Sequence, residues 1–501
     1  MPLNRILAVT LAFGLCATGA FAQNLRVGLQ EDPDVLDPDQ SRTFVGRIVY
    51  ASLCDKLVDI TPGLEIVPML ATGWEWSGDG LTLTMKLREG VTFHDGTPFN
   101  AAAVVANIDR SQNLPESRRK SEVKSITSTV AVDDMTVAFT VAKPDATLIA
   151  QFADRAGMML SPTAATAAGA DLGLKPVCSG PFKFKERVAQ DRIVLEKYDG
   201  YYNAAAIHFD TVTFLPIPDT TVRLANLRAG DLDMLERLAA TDAPSVMKDS
   251  GLTLERATSL GYQGITINVG NGERANTPIG MDARVRRALS LSIDRDVINQ
   301  VVFEGAFAPG NQPFPPTSPW YNAAFPVPAR DVAAAKALLA EAGHADGITV
   351  EVQVANNPVQ TQLMQVIQSM AAEAGIKIEI TAKEFATLLK DQTAGAFNAS
   401  QIGWSGRVDP DGNIHGFMTT GAGLNDAHYS NPEVDRLLDA ARVSTETAKR
   451  KESYDAALAI LQDEGSIIYL YHQVWIWALS NKVKGFVAYP DGMIRLQGVS
   501  F

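Results

Sequence analysis

The chain has 501 residues, of which 46% are hydrophobic and 20% are charged, a composition typical of folded globular proteins rather than of disordered or fibrous ones. The formal charge of -13 argues against a basic surface for nucleic acids or for anionic membranes. The length corresponds to two or three folding units unless these share one sheet.

The N-terminal segment has the pattern of a secretory signal peptide. Arg5 is its only charged residue, and the apolar run that follows at residues 6–15 is too short to span a bilayer. Residues 20–22, Ala-Phe-Ala, match the small-x-small pattern that signal peptidases read. We therefore expect cleavage after Ala22 and an exported, soluble protein. The alternative is a lipid anchor at Cys16, although the residue before it is not the usual Gly or Ala.

The N-terminal half of the remaining chain alternates strand-like segments with helices and turns. Apolar alternation predicts strands at residues 24–30 and 81–87, and a hairpin is predicted from residues 181–187 and 192–197 around a polar turn. Residues 219–230 predict a helix with Asp at its N-cap and Gly at its end. This half is therefore expected to be mixed α and β.

The C-terminal half has a more regular alternation of strands and helices. The predicted elements are strands at residues 348–354, 376–380 and 400–404, helices at 357–375 and 383–395, and two later helices, one that begins at residue 431 and one with an apolar face at residues 454–461. A β-α-β-α-β series of this kind implies parallel pairing of its strands. The apolar residues 466–480 are too few and too interrupted for a membrane span and predict a buried strand.

Removal of the first 22 residues leaves two cysteines, Cys54 and Cys178. Disulfides persist in the compartments to which proteins are exported, so the two are candidates for a bridge. Two separate buried thiols are the alternative.

No enzymatic or metal-binding motif is complete. Ser-x-x-Lys pairs begin at Ser117 and Ser121 without the partner motifs of a serine hydrolase, and Arg407 stands where a nucleophile elbow needs Gly. The acidic loop that begins at Asp409 lacks the twelfth-position carboxylate of a calcium loop, and the six histidines fall at no metal-ligand spacing. We therefore expect no catalytic residue, no metal and no cofactor.

The loop after the third strand of the parallel series is the best candidate for a binding site. Strands in open α/β sheets point their C-terminal ends at a ligand crevice, and an aromatic, a guanidinium and two carboxylates crowd this loop. The candidate ligand-binding residues are Trp404, Ser405, Arg407, Asp409 and Asp411. An ordinary surface loop with a packed tryptophan is the alternative.

Four segments carry a resemblance to a known family. These are residues 74–110 (WEWSGDGLTLTMKLREGVTFHDGTPFNAAAVVANIDR), 178–184 (CSGPFKF), 284–298 (RVRRALSLSIDRDVI) and 403–412 (GWSGRVDPDG). With them the chain resembles the extracellular solute-binding proteins of family 5, the peptide, glutathione and nickel-chelate receptors of ABC importers. The resemblance covers essentially the whole mature chain.

The resemblance implies an α/β fold with the two lobes of a periplasmic binding protein, type II and class C-like, with mixed sheets. The implied boundaries are a first lobe at residues 23–262 with an extra subdomain near 55–175, a second lobe at 263–479, and a return to the first lobe at 480–501. Two crossing segments, near residues 261–268 and 478–483, would form the hinge. Ligand would be enclosed as the lobes close.

The resemblance also implies which residues bind the ligand, and one of them is absent. Peptide receptors of the family carry an Asp about four positions before the loop proline, where this chain has Gly406. Asp409 or Asp411 would substitute for it if the loop is shifted. Arginines are present instead, and guanidinium groups bind carboxylates through paired hydrogen bonds. To the loop residues above, with Arg407 as the principal anion anchor, the resemblance adds Arg118, Arg119 and Arg155 from the first lobe and Tyr262 at the hinge.

The function expected from these observations is that of a periplasmic substrate-binding protein. It would capture a small peptide or an acidic peptide-like solute and deliver it to a membrane ABC permease and its ATPase, as a monomer and without catalysis or nucleic-acid binding. A metal-chelate receptor of the nickel type is an alternative within the family. A secreted hydrolase whose dispersed site lacks a recognisable motif is the alternative from another class.

Overall fold

A computed structural model describes residues 23–501 of the chain. The predicted signal peptide, its cleavage site and the alternative anchor at Cys16 lie outside the described residues. In the described part of the chain no helix is both long enough and apolar enough to cross a membrane.

The N-terminal half forms three sheets, and the predicted elements in it are confirmed. Its helices and strands are β1 (Asn24–Leu29), α1 (Phe44–Leu53), β2 (Val58–Ile60), β3 (Ile66–Pro68), β4 (Ala71–Trp76), β5 (Thr82–Leu87), α2 (Ala101–Asn113), β6 (Ile126–Asp133), β7 (Thr136–Val141), α3 (Leu148–Gln151), α4 (Pro162–Ala168), β8 (Phe182–Val188), β9 (Arg192–Lys197), β10 (Thr211–Pro216), α5 (Thr220–Ala229), β11 (Met234–Leu235), α6 (Ala243–Met247) and β12 (Leu252–Thr258). The predicted hairpin is the antiparallel pair β8 and β9. Helix α5 begins at its Asp219 cap and ends at Gly230, which adopts the left-handed conformation with φ 83°.

The C-terminal half contains the predicted β-α-β-α-β series. Its elements are β13 (Tyr262–Ile267), α7 (Pro278–Met281), α8 (Ala283–Ser292), α9 (Arg295–Phe303), β14 (Ala308–Pro309), α10 (Val332–Glu341), β15 (Ile348–Ala355), α11 (Pro358–Glu373), β16 (Ile376–Lys383), α12 (Phe385–Thr393), β17 (Ala399–Trp404), α13 (Asp411–Met418), α14 (Pro432–Val443), α15 (Thr447–Glu464), β18 (Ile467–His472) and β19 (Val474–Ser480). Strand β15 pairs in parallel with β16 and β17, as the sequence predicts. The Asn357 side chain caps α11, whose first residue is a proline.

Sheet membership divides the chain into two lobes. One large sheet has seven strands in the order β12-β19-β11-β1-β10-β9-β8, and the other has six in the order β14-β18-β13-β17-β15-β16. The four-stranded sheet β4-β5-β7-β6 and the β2-β3 pair lie in the subdomain inserted after α1. We call residues 23–258 with 474–501 the first lobe and residues 262–472 the second lobe.

The chain crosses between the lobes at two short segments. The first crossing, between β12 and β13, precedes the predicted hinge segment, and the second lies at Gln473, between β18 and β19. The predictions of one strand at residues 466–480 and of a second crossing near 478–483 are wrong. The structure divides that run into two strands of different sheets.

Strand β19 is buried on both faces, which explains its continuous apolar sequence. Trp475, Trp477 and Leu479 pack into the core of the first lobe. Ile476 and Ala478 point the other way, into a core that the second lobe shares. Because side chains alternate along a strand, burial of both faces removes the polar alternation that would mark a surface strand.

The cysteine pair lies in the first lobe. Cys54 directly follows α1, and Cys178 precedes β8. Their sulfur atoms are 1.98 Å apart and form a disulfide, with a Cα–Cα distance of 4.9 Å. The bond closes a sequence separation of 124 residues and spans the inserted subdomain.

Candidate functional site

A cavity of about 1080 Å³, including the open solvent at its mouth, lies between the lobes. Its walls come from both lobes and from the crossing at Gln473. The first lobe contributes Gln30, Glu31, Arg42, Phe44, Arg237 and Trp475. The second lobe contributes, among others, Tyr262, Gln263, Asn357, Gln360, Phe385, Gln392, Gln401, Trp404, Ser405, Phe417, Asn425 and Asp426. We call this space the cleft cavity.

Aromatic side chains form one wall of the cleft cavity. The Trp404 ring meets Phe417 edge-on with centroids 4.8 Å apart, and Tyr262 meets Tyr469 edge-on at 4.7 Å. The Trp404 indole nitrogen donates to Asn413 Oδ1 at 3.1 Å, which fixes the orientation of the ring. The cluster offers a large apolar face with a fixed shape, as small-molecule sites commonly do.

An ion pair joins the two lobes beside the cavity. Arg42 of the first lobe lies 2.5 Å from Asp426 of the second, and both side chains are largely buried. The same guanidinium donates to Thr393 Oγ1 at 2.7 Å. Because its partners belong to the second lobe, Arg42 stabilises the closed arrangement of the lobes.

A second charged pair lies entirely within the first lobe. Arg237 donates to both carboxylate oxygens of Glu31 at 3.3 Å, and its guanidinium lies over the Phe44 ring at 4.4 Å from the centroid. Burial raises the pKa of Glu31, while Arg237 opposes the rise. The walls of the cleft cavity therefore carry two carboxylates and two guanidinium groups.

Three of the residues predicted from the sequence line the cleft cavity. They are Tyr262, Trp404 and Ser405. The Ser405 hydroxyl accepts a hydrogen bond of 2.9 Å from Arg47 of the first lobe, so it also joins the lobes.

Arg407 does not line the cleft cavity in this structure. Its Nε lies 3.1 Å from Asp154 of the first lobe, and its guanidinium stacks over the Trp404 ring at 4.1 Å from the centroid. Asp154 also pairs with Arg47, and both carboxylate and guanidinium groups are buried. The structure thus places Arg407 in an ion pair between the lobes, and a role as anion anchor for ligand stays a prediction.

The absence of an Asp at position 406 has a steric cause. Gly406 has φ 86°, which L side chains rarely adopt, and a Cβ at this position would lie 2.3 Å from the backbone carbon of Leu260. No side chain fits there without movement of the first crossing. The amine anchor of the peptide receptors therefore cannot stand at this position.

The two loop carboxylates are engaged by arginines of the second lobe. Arg450 holds Asp409 through two hydrogen bonds of 2.9 and 2.6 Å, and Arg442 holds Asp411 through two of 2.8 and 2.7 Å. Burial opposes ionisation of Asp411, but Arg442 holds its pKa below the ordinary value. Such bidentate pairs fix the loop that carries Trp404, and neither carboxylate lines the cleft cavity.

The three first-lobe arginines predicted to bind ligand make protein contacts. Arg118 reaches the second lobe, where it donates to Thr393 Oγ1 at 3.3 Å. Arg155 donates to the Ser41 carbonyl at 2.7 Å, and Arg119 pairs with Glu122. Burial and the adjacent Arg119 lower the pKa of Arg155 to about 10. None of the three lines the cleft cavity as it is described within residues 23–501.

The charged residues that line the cavity are absent from the predicted site. Glu31, Arg42, Arg237 and Asp426 come from four separate segments, and no local spacing connects them. The uncharged Gln473 is absent from the predicted site too, although a carboxamide that interrupts an apolar run is a visible signal.

The described residues also form no cluster of ligands that could bind a metal ion directly. Within residues 23–501 no group of three or more His, Cys, Asp or Glu side chains is placed to hold a metal ion.

Two lobes joined by two short crossings, with a polar and aromatic cavity between them, define a solute-binding protein of the periplasmic type. A comparison with known protein families identifies one of them. The family model "Bacterial extracellular solute-binding proteins, family 5 Middle" matches residues 65–425, and the chain belongs to this family. The resemblance noted from the four sequence segments is thereby confirmed.

Individual relatives are similar over nearly their whole length. The glutathione-binding protein GsiB of Pectobacterium atrosepticum is 30% identical over 475 residues, which cover 92% of this chain and 91% of the relative. The dipeptide-binding protein of Pseudoalteromonas sp. SM9913, solved with Met-Leu, superposes with a TM-score of 0.87 at 25% identity and covers 95% of this chain and 100% of that one. The binding protein AgaA of A. tumefaciens R10, solved with agropinic acid, gives 0.86 at 25% identity over 95% and 98%. All three are binding proteins.

Proposed function

We propose that this protein captures a small peptide or a peptide-like acid in the periplasm and delivers it to a membrane ABC permease and its ATPase. It acts as a monomer after removal of residues 1–22, and the bound solute leaves unchanged. The single observation that carries the proposal is the composition of the cleft cavity, which combines balanced charges with many carboxamides.

The charges suit a solute that carries both signs. Two guanidinium groups, those of Arg42 and Arg237, can each exchange a protein carboxylate for a ligand carboxylate. Glu31 and Asp426 are then free to accept a ligand ammonium. A free peptide carries both groups, so the exchange keeps every buried charge paired.

The carboxamides suit the peptide links between those charges. Side-chain amides present both donors and acceptors, which match the C=O and N–H groups of a peptide. The carboxamides that line the cleft cavity are Gln30, Gln263, Asn357, Gln360, Gln392, Gln401, Asn425 and Gln473.

The relatives support the same class of solute. Glutathione, the dipeptide Met-Leu and agropinic acid are named with proteins similar to this chain over more than nine-tenths of its length. All three solutes carry carboxylate groups.

Binding would act through closure of the lobes. A solute between Arg237 of the first lobe and Asp426 of the second contacts both lobes only when they are closed, and it therefore favours that state. In the absence of solute the Arg42–Asp426 pair favours the same closed state, and a bound solute that takes over these two groups replaces the direct contact by a bridge between the lobes.

The test begins with native mass spectrometry of the protein purified from its periplasm, which identifies the co-purified solute and shows whether it is chemically intact. Calorimetry with glutathione, Met-Leu and agropinic acid follows, together with small-angle scattering. A peptide or peptide-like acid should bind and reduce the radius of gyration. Turnover of the solute, or binding of nickel with a chelator but of no peptide, would contradict the proposal.

A matched pair of variants connects binding to the cavity. Arg237→Met should weaken binding of the solute by at least tenfold, because the desolvated carboxylate of the solute loses its partner. Arg274→Met removes an exposed arginine that pairs with Glu351, away from the cleft, and should bind like the wild type. Equal affinities for the two variants would show that the cleft cavity does not recognise the solute through Arg237.

A further inference from the structure

A second chamber of about 700 Å³, including the open solvent at its mouth, adjoins the cleft cavity. The two spaces share the wall residues Gln30, Arg237, Asn357, Gln360, Gln473 and Trp475, so these residues form a junction between them. The second chamber lies next to the crossing at Gln473 and is bounded by both lobes. It opens or narrows with the same lobe movement as the cleft cavity.

Apolar side chains form somewhat more than half of the wall of the second chamber. They are Pro218, Leu238, Ala239, Ala240, Val302, Phe303, Phe307, Pro358, Val359, Tyr471, Val474 and Trp475. Outside the junction the polar side chains of the described wall are Thr220, Thr241, Gln362 and Arg223, and Arg223 is fully buried and donates to backbone carbonyls. The chamber therefore suits an uncharged group with a large apolar part.

A row of three glutamines leads to the junction and has a defined direction. Gln401 Nε2 donates to Gln263 Oε1 at 3.3 Å, and Gln263 Nε2 donates to Gln473 Oε1 at 3.3 Å. Gln263 thus accepts from Gln401 through its oxygen and donates to Gln473 through its nitrogen. The row ends on Gln473 Nε2, which is buried and has no partner among residues 23–501.

One further polar atom at the junction is also buried without a hydrogen-bond partner in the described chain. It is Gln360 Oε1, an acceptor. Arg237 Nε lies 3.3 Å from Glu236 Oε2 and is held in an ion pair with it. Buried polar groups are normally paired, and leaving one unpaired is unfavourable. The donor of Gln473 and the acceptor of Gln360 at one junction match the oxygen and the N–H of an amide group.

We propose that the solute passes through this junction, with an amide or carboxylate oxygen on Gln473 and Arg237 and an apolar group in the second chamber. The inference rests on the proposed function and deepens it, because it assigns the solute to peptides or amide-linked acids that carry an apolar substituent. The junction determines where the polar link lies, and the second chamber determines the size of the apolar group. Each additional buried methylene should tighten binding by about fourfold until the chamber is full.

The first experiment measures two peptide series by calorimetry, Ala-Ala-Xaa and Xaa-Ala-Ala, with Ala, Val, Leu or Phe at Xaa. In one series Leu or Phe should bind at least tenfold more tightly than Ala. Ala239→Leu and Val359→Phe narrow the second chamber and should each abolish that preference. Ala333→Leu, at an exposed position of α10, is the control for the added side chain.

The second experiment tests the junction donor. Gln473→Met keeps the length of the side chain and removes the donor. It should weaken the binding of every peptide by at least tenfold. Gln365→Met, at an exposed position of α11, should have no effect. Thermal unfolding of both variants checks that the crossing is intact. Unchanged peptide affinity for Gln473→Met would overturn the assignment of the junction.

The third experiment tests the chamber without a peptide. Hexanoate should bind at least tenfold more tightly than acetate in saturation-transfer NMR, because its carboxylate reaches the junction and its alkyl chain fills the chamber. Ala239→Leu should remove the difference. Absence of binding by any peptide, with hexanoate bound as expected, would contradict the proposed function alone. Equal binding of acetate and hexanoate, or peptide affinities that do not depend on Xaa, would overturn the inference.

Discussion

The buried charge cluster between the lobes predicts different losses of stability for two substitutions that break the same ion pair. Asp154 and Arg407 form one ion pair, yet their surroundings differ in sign. Burial opposes the charge of Asp154, but Arg407, Arg47 and Arg155 outweigh it and hold its pKa below the ordinary range. Burial and the adjacent Arg47 lower the pKa of Arg407, so its surroundings disfavour its charge.

The magnitudes follow from the geometry. At 3.1 Å and an effective dielectric constant of about 20, the pair attracts by about 5 kcal/mol. Asp154→Asn loses this attraction and leaves guanidinium groups buried together, so the free energy of unfolding should fall by about 3–5 kcal/mol. Arg407→Met loses the same attraction but also removes a repulsion with Arg47 and the desolvation of a charge. Its free energy of unfolding should fall by less than about 1 kcal/mol.

Calorimetric unfolding of the ligand-free protein measures the difference. With an unfolding entropy of about 2.1 cal/mol/K per residue over about 480 residues, Asp154→Asn should lower the Tm by about 3–5 °C, and Arg407→Met by about 1 °C or less. Asp346→Asn, at an exposed loop position, is the control for a lost carboxylate. Asp154→Asn should also increase the radius of gyration, because the pair joins the lobes.

The result that would refute this reasoning is a reversed or equal order of the two Tm values. The affinity of Arg407→Met for the co-purified solute then decides its second possible role. A loss of thirty-fold or more would assign Arg407 a role in binding the solute in addition to its contact with Asp154.

Three further predictions concern other parts of the molecule. Replacing Cys54 and Cys178 with Ser should reduce the free energy of unfolding by about 2–5 kcal/mol in chemical denaturation, and two free thiols in the denatured wild type without reductant would contradict the bond. Complete burial raises the pKa of Asp55 to about 7, so the folded chain keeps a proton that the unfolded chain loses near pH 4, and stability should fall by up to about 4 kcal/mol as pH rises from about 4 to 7. Asp55→Asn should remove this decline in urea titrations at pH 5 and pH 8, and an unchanged decline would show that another group causes it. Arg42→Gln breaks the pair with Asp426 and should enlarge the ligand-free radius of gyration, whereas an unchanged radius would show that the pair does not hold the lobes together.

Much of the fold could be predicted because its signals are local. Asp219 and Gly230 mark the two ends of α5 by capping chemistry that depends on a few adjacent residues. The parallel strands β15, β16 and β17 are apparent because helices of suitable length separate them. The crossing at Gln473 was misplaced because no Gly or Pro marks it and both neighbouring strands are buried.

The candidate site could be predicted only in part, because its contacts are distant in sequence. Trp404 and Ser405 follow a strand end and were found by that rule. The partner of Arg407 was not, since nothing near Asp154 in the sequence indicates that a residue of the other lobe binds it. The sequence does not show whether an arginine forms an ion pair, because a partner that is distant in sequence is identified only in the fold.

The position of β19 affects the order in which the molecule can be assembled. This strand lies inside the seven-stranded sheet, between β12 and β11, and Trp475 stacks on Phe44 at 4.4 Å. The first lobe therefore lacks an interior strand of its sheet until residues 474–501, the last 28 of the chain, have been made and released. A chain halted before residue 474 would expose the cores on both sides of the gap, so it would remain a substrate for chaperones and proteases. Because β19 is synthesised late, the seven-stranded sheet is completed only after nearly all of the chain has been made.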